Sequence, residues 1–357
     1  MEKELLSYQE VLNRTEDGYR YLLLGNGFSI DYNPDKFLFK NLFEYAKNKS
    51  IIKSHSSISK HFEELEVYDF EEVIKYLENA LMVLKNYTQE NEHQLIMQIK
   101  EDIDSLKEFL IKTIVEIHPE NPFNIQEYEY QNCINFLKEY NAIFTLNYDL
   151  LLTWVTLEYL NNYKYLNYSR LSIDDGFRGY LNLCFKNNNF YLYPQRNTQT
   201  IYYLHGALHL FNQGVDIVKN SNLDATLIES TTHSIKNSNY PLFVSEGNSK
   251  KKMEKILNNH YLTNSLKCLH RPPFRDNRIR KTLNYQLKSL IVYGTLLDKD
   301  DHIINAILKG SYQNIYVGVR SRAKLYEPAC LNLSSKFKKA NKNIDFYDFN
   351  TANVWRT

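Results

Sequence analysis

The chain is predicted to be an α/β protein with a mostly parallel sheet covered by helices, and two observations lead there. The first is a series of short apolar, β-branched or aromatic runs, at 19–24, 142–146, 200–204, 241–244, 289–293, 314–319 and 344–349. These alternate with stretches whose apolar residues recur at helical spacing, which is how buried parallel strands and their crossover helices read. The second is a set of short motifs at the ends of four of the runs: Gly25-Asn26-Gly27, Thr145-Leu146-Asn147-Tyr148-Asp149, Leu204-His205-Gly206 and Tyr293-Gly294-Thr295. In doubly wound, Rossmann-like sheets ligands bind outside the carboxyl ends of the strands. Four such tips, distant in sequence, can therefore meet in one crevice.

Along the chain, residues 2–15 carry a polar-rich helical pattern, and 19–24 form the first strand. Phe37, Leu38, Leu42, Phe43 and Ala46 then recur at helical spacing. Residues 58–140 contain several helices and no convincing strand. Asp69 and Glu72 resemble a capping box, ahead of a stripe of Phe70, Val73, Ile74, Leu77, Leu81 and Leu84. A long helix over 92–117 is stopped by Pro119 and Pro122. We read 50–140 as a helical insertion within a single α/β domain spanning 1–357, because no linker composition separates it. Strand 142–146 leads into an apolar helix over 150–160. Residues 161–198, rich in Asn and Tyr, are expected to be irregular or to hold small strands. Ser249 is a plausible cap for the helix after the 241–244 run, and 301–308 is helical.

Composition excludes several classes. Lys plus Arg (43) balances Asp plus Glu (42), so no basic excess signals nucleic acid. The abundant Tyr (29) and Phe (19) are better explained by coding bias than by a base-stacking surface. Cys133, Cys184, Cys268 and Cys330 are scattered, without the CxxC pairs of a zinc ribbon or a disulfide framework. The charged start is unlike a signal peptide, and no apolar run approaches the roughly 20 residues of a membrane span. A soluble, cytoplasmic protein is expected.

Each tip has a chemical and a structural reading. The Gly25-Asn26-Gly27-Phe28-Ser29 turn, between strand and helix, could admit a pyrophosphate against free helix-end N–H groups, or be a simple glycine turn. Asn147 and Asp149 place an amide and a carboxylate where ribose hydroxyls or a carboxamide could be bound. Capping the following helix also explains Asp149, but not Asn147. His205 has the pKa range of a base near neutrality, although single histidines are often structural. His205 and His209 are four apart without a surrounding HExxH, so no metal is assigned. Gly294-Thr295 could hold phosphate through backbone and hydroxyl. Asp298, Asp300 and Asp301 read as the acidic first turn of a helix, with His302 an additional candidate.

In this order the motifs resemble the sirtuin family, which carries GAG, TQN-I-D, HG and GTS at successive strand ends. The chain is more similar still to a bacterial sirtuin-like group found among anti-phage defence proteins. The residues that carry this are LLLGNGFS, Asp69 with residues 70–73, LNYDLLL, YLHGALHL, FVSEG and Asp300-Asp301-His302-Ile303, between Tyr21 and Ile307. The resemblance implies that Gly25, Asn26, Gly27, Ser29, Gly294 and Thr295 bind NAD. It implies that Asn147 positions the nicotinamide-side ribose or the attacking water, that Asp149 lies near the carboxamide and that His205 is the general base. NAD is then a substrate, and no metal is required.

Departures redirect the expected reaction. The four-cysteine zinc module of sirtuin deacylases is missing, Leu146 and Leu296 replace the Gln of TQN and the Ser of GTS, and Pro-Asp-Phe-Arg appears as Pro34-Asp35-Lys36-Phe37. The expected activity is hydrolysis of NAD to nicotinamide and ADP-ribose by a gated defence effector, controlled by homo-oligomerisation or a regulatory partner. The alternatives are a non-catalytic module that binds NAD or ADP-ribose, and a protein deacylase.

Overall fold

A computed structural model describes residues 4–86, 93–163, 169–179, 190–193, 198–220, 226–273, 284 and 286–356. Its centre is a six-stranded sheet: β1 Tyr19–Leu24, β2 Ala142–Thr145, β3 Ile201–Tyr203, β4 Lys288–Tyr293, β5 Asn314–Val319 and β6 Asn343–Asp348. Every neighbouring pair is parallel, and the spatial order is β3-β2-β1-β4-β5-β6. That is the order of dinucleotide-binding sheets, with the topological switch between β1 and β4. All of β1, β2 and β3 is buried, as strands covered by helices must be.

Between β1 and β2 every element of the described chain is a helix, with Phe39–Asn48, Ser57–Glu64, Phe70–Leu84, His93–Ile117 and Glu127–Leu137 as the main ones. Phe70–Leu84 and Phe39–Asn48 both pack on His93–Ile117. Residue 92, the expected start of that long helix, lies outside the described residues. No helix among the described residues is long and apolar enough to cross a membrane. Many tyrosines are core residues: Tyr21, Tyr140, Tyr202, Tyr203, Tyr261, Tyr293, Tyr312 and Tyr347 are fully buried.

Several local expectations need correction. The 241–244 run is not a strand of the parallel sheet. Only Leu242–Phe243 is extended, and it pairs antiparallel with Gly206–Ala207. The first helix is Tyr8–Arg14, because Ser7 and Glu10 close a capping box there and set its start. Asp69 caps Phe70–Leu84 through the Glu71 N–H, but Glu72 turns to Lys299 instead of closing a box. Asn248, not Ser249, caps Ser249–Leu257. In the Asn- and Tyr-rich stretch, Arg178–Gly179 and Phe190–Leu192 join Leu210–Gln213 and Asp216–Asn220 in a small antiparallel sheet. Cys184 lies outside the described residues, while Cys133 and Cys330 are buried.

Candidate active site

Register brings the tips together. Leu24 lies beside both Tyr293 and Thr145, and Thr145 beside Tyr203. One residue on, the Gly25 N–H donates to the Tyr293 carbonyl at 2.9 Å. The Leu146 and Leu204 N–H groups donate to Leu24 and Thr145, also at 2.9 Å. All four chains thus leave the sheet at one level. They enclose a cavity of about 460 Å³ whose lining includes Gly25, Asn26, Gly27, Asn147, Asp149, His205, Gly294 and Thr295. Phe37, Leu38, Phe39 and Leu42 from the helices just after β1, with Leu110 and Ile114 of the insertion, form an apolar wall, and Val319, Arg320 and Phe349 come from the β5 and β6 ends.

The glycines have a structural reason to be there. A Cβ on Gly27 would lie 2.4 Å from the Gly294 Cα, and Gly294 has φ +80°. The β1 and β4 turns therefore interlock only as glycines, with the Gly27 N–H donating to the Gly294 carbonyl at 2.8 Å. The helix after the turn does not offer the free amides expected of it. The Gly27, Phe28 and Ser29 N–H groups donate to the carbonyls of Gly294, Gly25 and Asn26. Gly27–Tyr32 is also a short helix, so its turn satisfies itself. Asn26 is different, because its buried Nδ2 has no partner.

On the β2 tip, Asn147 Nδ2 donates to Ser29 Oγ at 2.8 Å, and Ser29 Oγ donates to Asp149 Oδ2 at 2.5 Å. Asp149 Oδ1 accepts the Leu151 N–H at 2.9 Å from the position before Leu150, the N-cap, so it ties down the helix start without being its cap, and both its oxygens are engaged. Burial pushes its carboxyl upward, against the hydrogen bonds from Ser29 and Leu151. Ser29 is fully buried and is not part of the cavity wall; it orients Asn147 from behind. This chain leaves Asn147 Oδ1 buried and unpaired at the cavity, an acceptor held ready.

His205 is placed by the turn after β3. Its carbonyl accepts the Val244 N–H at 2.9 Å. Gly206 has φ +82°, and a Cβ there would sit 1.8 Å from the Leu242 carbonyl oxygen, so the residue after this histidine must be glycine. His205 Nε2 is 2.9 Å from His302 Nε2 and 4.0 Å from Asp300 Oδ1. Burial holds the His205 imidazole well below its usual pKa, with Asp300 pulling the other way, so the ring is neutral. His302 is likewise lowered by burial, to about 4. His209 is buried elsewhere, edge-on to Tyr203, and does not line the cavity.

Sequence reasoning missed the polar wall beside His205. Lys252 Nζ lies 2.7 Å from Glu71 Oε2 and 2.9 Å from Asp300 Oδ1, with its side chain 3% exposed. Burial works against that ammonium, but Glu71 and Asp300 outweigh it and keep Lys252 charged. Burial pushes Glu71 up, with Lys252 opposing. The Tyr148 hydroxyl lies 2.8 Å from Glu71 Oε1 and 2.7 Å from the Val244 carbonyl. Lys299 joins the wall and pairs with Asp69 and Glu72. Asp300, read from sequence as a helix-end acid, makes no capping bond and faces Lys252 instead. His205, Asp300 and His302 hold ligand-type atoms within 4.8 Å of one another. A cation there would share Asp300 with the Lys252 ammonium, so the set favours hydrogen bonding within the wall.

No curated protein matches the chain. A family model described as a domain of unknown function, DUF4917, matches residues 22–355, a span that holds nearly all of the six-stranded sheet and every residue of the cavity. The chain therefore belongs to the DUF4917 family.

Proposed function

We propose that this protein is a sirtuin-like NAD hydrolase that cleaves the nicotinamide–ribose bond to give nicotinamide and ADP-ribose. One observation carries the reading: the unpaired amide oxygen of Asn147 and the neutral imidazole of His205, from adjacent strand ends, line the same cavity. A volume of about 460 Å³ lies within the range of cofactor sites. Departure of nicotinamide with its bonding electron pair leaves an oxocarbenium-like ribose. The Asn147 oxygen can accept a hydrogen bond from the attacking water or a ribose hydroxyl, steadying that centre. As the water oxygen bonds to the sugar carbon, its proton passes to His205, an assistance worth typically about 10²–10⁴-fold. No redox step enters this reaction.

The glycine turns at Gly25 and Gly294 let the dinucleotide approach the backbone closely. Since the first-turn amides are engaged, phosphate recognition falls to Asn26 Nδ2, Thr295 and the basic side chains at the rim. A cytoplasmic anti-phage effector role, with activity gated by assembly or a regulatory partner, rests on the motif resemblance. One observation favours a second reading, a module that binds NAD or ADP-ribose without turnover: His205 Nε2 already faces His302. Chromatography of NAD incubated with the wild type and with Asn147→Ala distinguishes them. Hydrolysis predicts nicotinamide release by the wild type and its loss in the variant; ligand-dependent stabilisation without product supports the binding module.

A further inference from the structure

We propose that His302 is a positioning residue for His205: it accepts the His205 Nε2–H, and so presents His205 Nδ1 as the basic nitrogen. This deepens the hydrolase reading and rests on it for the rate effects, though not for the tautomer.

Three contacts argue for it. The two Nε2 atoms are 2.9 Å apart, a separation at which one carries the proton and the other accepts it. Asp300 Oδ1 lies 4.0 Å from His205 Nε2, and its negative charge favours the proton on that nitrogen. Ser249 Oγ is 2.9 Å from His302 Nδ1 and accepts the His302 backbone N–H at 2.8 Å. Ser249 Oγ has a second lone pair for the Nδ1–H of His302, and in the proposed arrangement it accepts that proton, which leaves the His302 Nε2 lone pair to receive the His205 proton. The Ser249 hydroxyl is thus held by both the backbone N–H and the ring of His302, which fixes the ring's orientation. Among the described residues His205 Nδ1 has no hydrogen-bond partner, so it is the nitrogen left to act.

The proton inventory closes. The water proton arrives on His205 Nδ1 as the water oxygen bonds to the sugar. The Nε2 proton stays between the two rings, and the imidazolium charge is met by Asp300, which Lys252 holds in place at 2.9 Å. A neutral imidazole here does the orienting work that a carboxylate does in a hydrolase triad. The histidine at 302 and the serine at 249 thereby gain a reason beyond packing.

Nitrogen-15 NMR of the histidine-labelled protein, without substrate, reads the tautomer directly. The expected spectrum has His205 protonated at Nε2 with an unprotonated Nδ1, and His302 protonated at Nδ1. A His205 protonated at Nδ1 overturns the proposal whether or not the protein consumes NAD. In kinetics, His302→Ala should lower kcat about 10²-fold with little change in KM. His302→Gln, whose side-chain oxygen can accept the same N–H, should restore most of the loss. Unchanged kcat in His302→Ala, or equal losses in both variants, contradicts the assigned role.

Discussion

Acidification should loosen the protein through His118, which ties the helical insertion to the β2 tip. This ring is 3% exposed, and its Nε2 accepts the Leu150 N–H at 3.0 Å while Nδ1 faces the Pro119 carbonyl at 3.1 Å. The pairing requires a neutral ring, because a second proton on Nε2 would oppose the Leu150 N–H. Burial accordingly lowers its pKa to about 4, with the Pro119 contact opposing. The unfolded chain, with a histidine pKa of about 6.5, takes up the proton first as pH falls. Stability is therefore complete above about pH 6.5, declines below it and levels off near the folded value of about 4. The linkage amounts to about 2 kcal/mol by about pH 5 and about 3 kcal/mol in full. Urea unfolding at about pH 7.5 and about pH 5 should show this loss in the wild type. In His118→Gln, whose side-chain oxygen can accept the Leu150 N–H without titrating, the loss should be smaller by that amount. Equal losses in the two proteins refute the reasoning.

Gly294→Ala places a Cβ 2.7 Å from the Phe28 nitrogen at a backbone φ of +80°, so thermal unfolding should show a loss of about 2 kcal/mol or more. A wild-type melting temperature would mean the β1 and β4 turns do not interlock as described. Lys252→Met leaves the Glu71 and Asp300 carboxylates without their shared cation, at an expected cost of about 3–5 kcal/mol in urea unfolding. Adding Glu71→Gln to that variant should recover part of the loss, and no recovery contradicts the pairing. Ser29→Ala should lower the rate of nicotinamide release by freeing the Asn147 amide, while leaving NAD binding by calorimetry nearly unchanged. An equal loss of binding would give Ser29 a ligand contact that its burial denies it.

The parallel strands and their tips were legible because a buried strand is written in consecutive apolar residues, and because turns at strand ends need glycine and small polar groups. The same signal misled at 241–244. An apolar run records burial but not the partner, and here the partner was the backbone of Gly206 and Ala207. The polar wall was not legible. Glu71 stands in an ordinary helix start, and Lys252 ends a run of five polar or basic residues, Asn248 to Lys252, that reads as a solvated face. Only the meeting of the insertion, the Ser249–Leu257 helix and the β4 end buries one charge from each. Asp300 and His302 did carry a signal, since Asp300-Asp301-His302-Ile303 was part of the motif resemblance. Reading the acids as helix-dipole partners concealed it. The free amides expected at the Gly27 turn failed for a local reason: so short a helix folds its first N–H groups back on its own turn and on Gly294.

The shared pocket is tested most directly by the structure of the protein crystallised with NAD. The nicotinamide-side ribose should lie between the Asn147 amide oxygen and the His205 imidazole, with the phosphates beside the Gly25 and Gly294 turns. A dinucleotide bound away from these two side chains, or no binding at millimolar NAD, would contradict the proposal.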